Sequence, residues 1–125
     1  MARILFWFWV SALLVLHVVP LGENNSSLLS GNKLVFGLDY LLHVSVVLGF
    51  AWIYIWSRIR GESIFRDNEI FLVIIISFIV AVCFEGIQAF LPYRKFNPMD
   101  LLANMIGTLI SSFLIIISYG LSLTK

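Results

Sequence analysis

The sequence predicts an all-α fold, a bundle of four helices that cross a membrane, and three observations predict it. The 125 residues are 61% hydrophobic and only 12% charged, with mean hydropathy +1.01, whereas soluble domains carry about 25% charge. The apolar residues fall into four long runs, near 4–20, 38–56, 70–91 and 99–119. The polar residues within the later runs recur three or four positions apart, which is the helical period. No internal repeat is present and no stretch is left for a soluble domain, so residues 1–125 are expected to form a single transmembrane domain. The formal net charge of +1, with basic residues scattered among separate loops, excludes a nucleic-acid partner and leaves membrane lipids as the surroundings.

The first run, after Arg3, is apolar from Ile4 to Val19 apart from Ser11 and His17, and Pro20 ends it. At ~1.5 Å per residue it reaches about 25 Å, short but adequate for a span. A basic residue before an apolar run also fits a signal peptide. No small-x-small cleavage site follows closely, so a retained first helix is expected. Trp7 and Trp9 suit the membrane interface, and His17 reads as an interface residue.

Residues 21–37 form the longest loop, rich in Gly, Asn and Ser. Leu34, Val35 and Phe36 give it an apolar patch that could lie on the membrane surface. Asn24 and Asn25 match glycosylation acceptors only formally. The second run opens with Asp39 and contains His43. A charged loop with Arg58, Arg60 and Arg66 precedes the third run, which holds Glu85 and Gln88 near its end. Pro92 and Pro98 bracket a basic turn containing Arg94 and Lys95, and the fourth run then opens with Asp100 and Asn104. Cys83, alone in an apolar run, reads as a small core or lipid-facing residue. With both termini in the cytoplasm, Arg3, Arg58, Arg60, Arg66 and Lys125 lie inside and Lys33, Arg94 and Lys95 outside. That bias orients the chain with the Pro92–Pro98 turn outside.

Asp39 and His43 are four apart, Glu85 and Gln88 three apart, and Asp100, Asn104, Gly107 and Ser111 continue the pattern. Each helix therefore carries one polar stripe, and all three stripes lie at the same end of the bundle. Glu85 stands seven residues before Pro92, or roughly 10 Å deep. A carboxylate at that depth costs at least a few kcal/mol unless it is paired or hydrated. Facing the stripes toward one another removes most of that cost, with Arg94 as a bidentate counter-charge for Glu85 or Asp100. Gly107 and Ala103 would let the fourth helix approach a neighbour closely. Each polar residue alone could be interhelical glue. Two acids, two amides, a histidine and an arginine at one depth point instead to a site. No cofactor is expected. One histidine among carboxylates is a weak metal signal, and Ser45, two residues from His43, lies on another face and makes a poor nucleophile.

The stretch Glu85-x-x-Gln88-x-Phe90-x-Pro92-x-Arg94 followed by Asp100-Leu-Leu-Ala-Asn104-x-x-Gly107 closely resembles the C-terminal signature of the VanZ-like family. These small bacterial membrane proteins are named for a member linked to low-level teicoplanin resistance. Asp39-Tyr40-Leu41-Leu42-His43 resembles the family's earlier motif, though Tyr40 and Val44 stand where the family usually has a lysine and an aromatic residue. The resemblance implies a multi-pass protein of the cell (inner) membrane with a cell-envelope role, and lowered susceptibility to glycopeptides such as teicoplanin.

Three activities are compatible with such a site. An enzyme acting on a lipid-linked or phospholipid substrate would use Glu85 or Asp100 as general base and His43 as acid or base. Arg94 and Lys95 would clamp phosphate, and Asp39, Gln88 and Asn104 would bind substrate. A protein that binds or shields a lipid-linked envelope precursor or a glycopeptide would need the same groups without turnover. A structural subunit or small transporter would use Glu85 to carry a proton.

Overall fold

The computed structural model describes residues 1–18, 33–92 and 96–123, with the backbone alone for 33–39 and 122–123. Among these residues there are four helices and no strand: α1 Ala2–Val18, α2 Lys33–Ile59, α3 Glu69–Gln88 and α4 Pro98–Leu123. They run alternately up and down. The start of α1 meets the loop after α2, and the end of α1 meets the opposite end of the bundle. Within α2, α3 and α4, the segments Tyr40–Ile59, Glu69–Gln88 and Pro98–Leu121 are long and apolar enough to cross a membrane, and α1 is a shorter apolar helix. The closest packing is between α2 and α4.

The helices differ from the expected runs at their ends, each for a local reason. α2 begins at Lys33, so the Leu34–Phe36 patch belongs to the helix and not to a surface loop. It continues past Trp56 to Ile59 and stops in a Schellman turn, where the Glu62 amide donates to the Ser57 carbonyl at 2.9 Å and the Gly61 amide to the Arg58 carbonyl at 3.1 Å. Gly61 takes the left-handed conformation that this turn requires, with φ 65°. α3 ends at Gln88, three residues earlier than expected. The chain then tightens into i→i−3 bonds from Ala89, Phe90 and Leu91, because the residue before Pro92 is steered away from the α region.

α4 opens on an Asn97 N-cap. The Asn97 side chain accepts from the Met99 amide at 3.1 Å and donates to Asp100 Oδ1 at 3.0 Å, with Pro98 at the first helical position.

At the end remote from the Pro92–Pro98 turn, polar contacts staple the loop to α1. The Ala2 amide donates to Glu62 Oε2 at 2.6 Å, Arg3 Nε to the Ile64 carbonyl at 2.8 Å, and the Ile64 amide to Glu69 Oε1 at 2.5 Å. Above this layer Phe6 packs against Phe50 and Phe65, with ring centroids 5.5 and 5.3 Å apart. Tyr54, Phe50 and Val73 are fully or almost fully buried nearby. Outward-facing residues such as Trp52, Phe71, Leu109 and Phe113 are apolar and exposed, as a surface in contact with lipid must be.

Two glycine positions set how closely the helices approach. A Cβ at Gly49 would sit 2.5 Å from the Trp9 ring, so Trp9 docks directly over that glycine. Its indole Nε1 reaches the Val46 carbonyl at 3.3 Å. A Cβ at Gly107 would sit 3.0 Å from the Val44 carbonyl oxygen and 3.1 Å from its Cα, so α4 rides directly on the backbone of α2, as the small residue there implies.

Candidate functional site

The close α2–α4 contact at Gly107 lies one turn from Asn104 and beside His43, and the polar groups gather there. Glu85 on α3 is 0% exposed and Asn104 on α4 is 2% exposed. Neither is a place where a membrane helix tolerates polarity without partners. Asn104 Nδ2 lies 3.5 Å from Glu85 Oε2, a long donor contact, and its Oδ1 lies 3.2 Å from His43 Nδ1. The Asn104 amide turns its nitrogen toward Glu85. Its oxygen then faces His43, whose Nδ1 must carry the proton. The side chain of Asn104 is therefore a bridge between a buried acid and a histidine on two different helices. On its other edge, His43 Nε2 is 3.9 Å from Asp100 Oδ2.

The structure thus brings together His43, Glu85, Asp100 and Asn104 from α2, α3 and α4. Gln88 is buried one turn beyond Glu85 on the same helix. Asp100 serves two tasks: one carboxylate oxygen accepts from the Asn97 side chain that caps α4 and the other faces His43. Asn97 followed by Pro98 is the sequence mark of that N-cap. Asp39 falls in the backbone-only part of α2, and Arg94 and Lys95 fall outside the described residues, as do Asn24 and Asn25. Ser45 is exposed, and its hydroxyl donates to the Leu41 carbonyl at 2.7 Å, apart from the cluster. Cys83 is exposed on α3, the lipid-facing alternative for that residue.

His17 is the residue that sequence reasoning missed. It is not simply an interface residue: α1 carries it into the cluster, with its ring 6.1 Å from the His43 ring and 5.6 Å from Phe84, centroid to centroid. Its Nδ1 lies 2.8 Å from the Leu13 carbonyl. A carbonyl cannot donate, so that nitrogen is protonated. The donor atoms of His17, His43 and Glu85 all lie within 4.8 Å of one another, and this trio could hold a metal ion. Ala2, Phe6, Trp9, Leu13 and His17 share one face of α1, and Ala2, Phe6 and Leu13 are buried, but the other faces are apolar too, so the sequence does not single this one out.

Below the cluster, α4 continues a polar stripe. Thr108 and Ser111 are buried, and Thr108 donates to the Asn104 carbonyl at 2.8 Å. Beside the cluster, Tyr40, Val44, Met99, Ala103 and Ile106 line an apolar groove of about 350 Å³ between α2 and α4.

Four helices, three of them long and apolar enough to span, around a buried acid–amide–histidine network mark a small membrane protein with a polar cluster near one end of its bundle. The chain belongs to the VanZ/LLP1 family, whose model matches residues 4–119. No curated protein and no solved structure matches the chain significantly.

Proposed function

We propose that this cluster is the working site of an envelope protein that acts on the polar head of an amphiphile, a lipid-linked precursor or a phospholipid, and thereby lowers susceptibility to teicoplanin. The observation that carries the proposal is the fully buried Glu85 carboxylate linked through Asn104 to His43. A buried acid coupled to a histidine is a pair that can pass a proton. In this reading Glu85 is the general base and His43 the acid or base. Asp100, tied to the helix cap, holds the outer edge of the imidazole. Arg94 and Lys95 supply positive charge for a phosphate, and Asp39 and Gln88 complete the binding groups. The apolar groove beside Asp100 and Asn104 suits an acyl or prenyl chain, which leaves the head group at the polar network.

The site's place in the membrane supports the same proposal. Arg3, Arg58, Arg60 and Arg66 all belong to the end of the bundle opposite the cluster. Basic residues favour the cytoplasmic side, so the cluster sits at head-group depth on the outer face, with both termini inside.

The test is Glu85→Gln in a glycopeptide-sensitive Gram-positive host. Glutamine keeps the shape and hydrogen-bonding capacity but removes the charge, and removing a buried charge need not destabilise the fold. We expect teicoplanin susceptibility to return to that of the empty host at an unchanged protein level. Resistance that persists in Glu85→Gln, His43→Ala and Arg94→Ala, each expressed normally, would reject the proposal.

A further inference from the structure

The cluster contains two histidines from different helices, each with a donor atom within 4.8 Å of the same buried carboxyl group. Both rings are oriented by a contact on Nδ1: His17 donates to the Leu13 carbonyl, and His43 to the Asn104 amide oxygen. In the neutral rings that leaves the lone pair on Nε2, which on His43 also faces Asp100 Oδ2 at 3.9 Å, a long contact that an ion would replace. Histidines that bind metals are held in this way, with the second nitrogen donating to a carbonyl or amide that fixes tautomer and ring direction. The third group, Glu85, is a carboxyl group at zero exposure, costly to bury in its ionised form. A divalent cation would offset the cost of burying that charge.

We propose that His17, His43 and Glu85 bind one divalent transition ion of the zinc class. The donor set decides the class. Two imidazole nitrogens and one carboxylate oxygen suit Zn²⁺ and its first-row neighbours, whereas Mg²⁺ and Ca²⁺ require oxygen ligands throughout. Ligand atoms about 2.0–2.1 Å from a tetrahedral ion stand roughly 3.4 Å apart. Donors already within 4.8 Å of one another reach that geometry by side-chain rotation, without moving a helix. Three protein ligands leave a fourth position open, as in catalytic rather than structural sites. The ion would also tie α1, α2 and α3 together at one end of the bundle. The proposal goes beyond the acid–base function above, because an ion bound here could serve catalysis or only lock the helices.

The test uses the full-length protein in detergent, stripped with a chelator and then titrated with Zn²⁺ alone. Metal content is read by mass spectrometry, and the Co²⁺-loaded protein by its visible spectrum. We expect one Zn²⁺ per chain, no uptake of Mg²⁺, and visible bands from nitrogen-ligated Co²⁺. His17→Ala and Glu85→Gln should each abolish stoichiometric uptake. Asn104→Ala, which removes the group that orients His43, should weaken binding about 10–100-fold. Stripped His17→Ala should melt at the temperature of stripped wild type, which separates a lost ligand from a lost fold. Wild-type protein without stoichiometric Zn²⁺ or Co²⁺ bands would overturn the proposal, as would undiminished uptake by His17→Ala. A metal-free wild type whose phenotype still depends on Glu85 would overturn the metal and leave the acid–base proposal standing.

Discussion

Replacing Gly107 tests how the packing of α2 against α4 holds the site together. A Cβ at this position would meet the Val44 carbonyl oxygen at 3.0 Å, the Val44 Cα at 3.1 Å and the Val47 Cβ at 3.2 Å. Two of these three are backbone atoms of a neighbouring helix, so no side chain can swing away. The helices must separate by a few tenths of an ångström. That strain is of the overpacking kind, about 1–3 kcal/mol, and the gain in helix propensity from Gly to Ala returns up to about 1 kcal/mol. Gly107→Ala should therefore lose about 1 kcal/mol, and Gly107→Val, with two further methyls and a β-branched rotamer, about 3 kcal/mol or more. The same movement would stretch the 3.2 Å contact between His43 and Asn104 toward the limit of a hydrogen bond. Function should then fall more steeply than stability. Unfolding in mixed micelles of increasing SDS fraction measures the first effect. Gly120→Ala is the internal control, since a Cβ there meets nothing within 4 Å, and it should be neutral or slightly stabilising. Gly107→Val as stable as Gly120→Ala would refute the close helix approach.

Three further outcomes follow from particular contacts. Asn97→Ala removes the cap of α4 and the side-chain donor to Asp100, so it should cost about 1 kcal/mol and disturb His43 as well; unchanged unfolding in SDS would speak against it. Glu62 is held below its ordinary pKa first by the Ala2 amide and then by the N-terminal ammonium. A depressed carboxylate stabilises the fold above its unfolded value and loses that contribution as pH falls through its folded one. Acid destabilisation through this contact should therefore begin near pH 4.5, the ordinary value, and Glu62→Gln should remove it; equal acid profiles for the two proteins would contradict this. Asn97→Cys and Gly61→Cys, each in a Cys83→Ser background, should react oppositely with an impermeant thiol reagent, Asn97→Cys from outside; labelling of Gly61→Cys from outside would invert the proposed orientation.

Much of the architecture is legible in the sequence because lipid makes the code coarse. Long apolar runs must be helices where no water can satisfy the backbone, and polar stripes in them must face inward. Those two arguments locate α3 and α4 closely and bring Glu85, Asn104, Asp100 and His43 to one end. They fail where the signal is local chemistry. The Schellman turn at Gly61 and the i→i−3 tightening before Pro92 move the ends of α2 and α3 by three residues. The contact of Asp100 with the Asn97 cap gives a structural task to a carboxylate that the pattern alone offers only to chemistry. The rotation of α1 was the least legible feature. That helix is apolar nearly all round, so no stripe fixes the direction of His17. Its rotation is set by the seating of Trp9 on Gly49 and the burial of Phe6 and Leu13, contacts across two helices that spacing within one helix cannot reveal.

Side chains from α2, α3 and α4 meet in one connected network, with His17 of α1 beside it. The most direct test is the ¹⁵N spectrum of the two histidines in wild type, Asn104→Leu and Glu85→Gln. We predict that both wild-type rings carry the proton on Nδ1, and that Asn104→Leu moves the His43 Nδ1 signal and leaves the His17 Nδ1 signal in place. Glu85→Gln should shift His43 through the Asn104 bridge. His43 signals that overlay the wild type in both variants would contradict the network and leave four helices with unrelated polar residues.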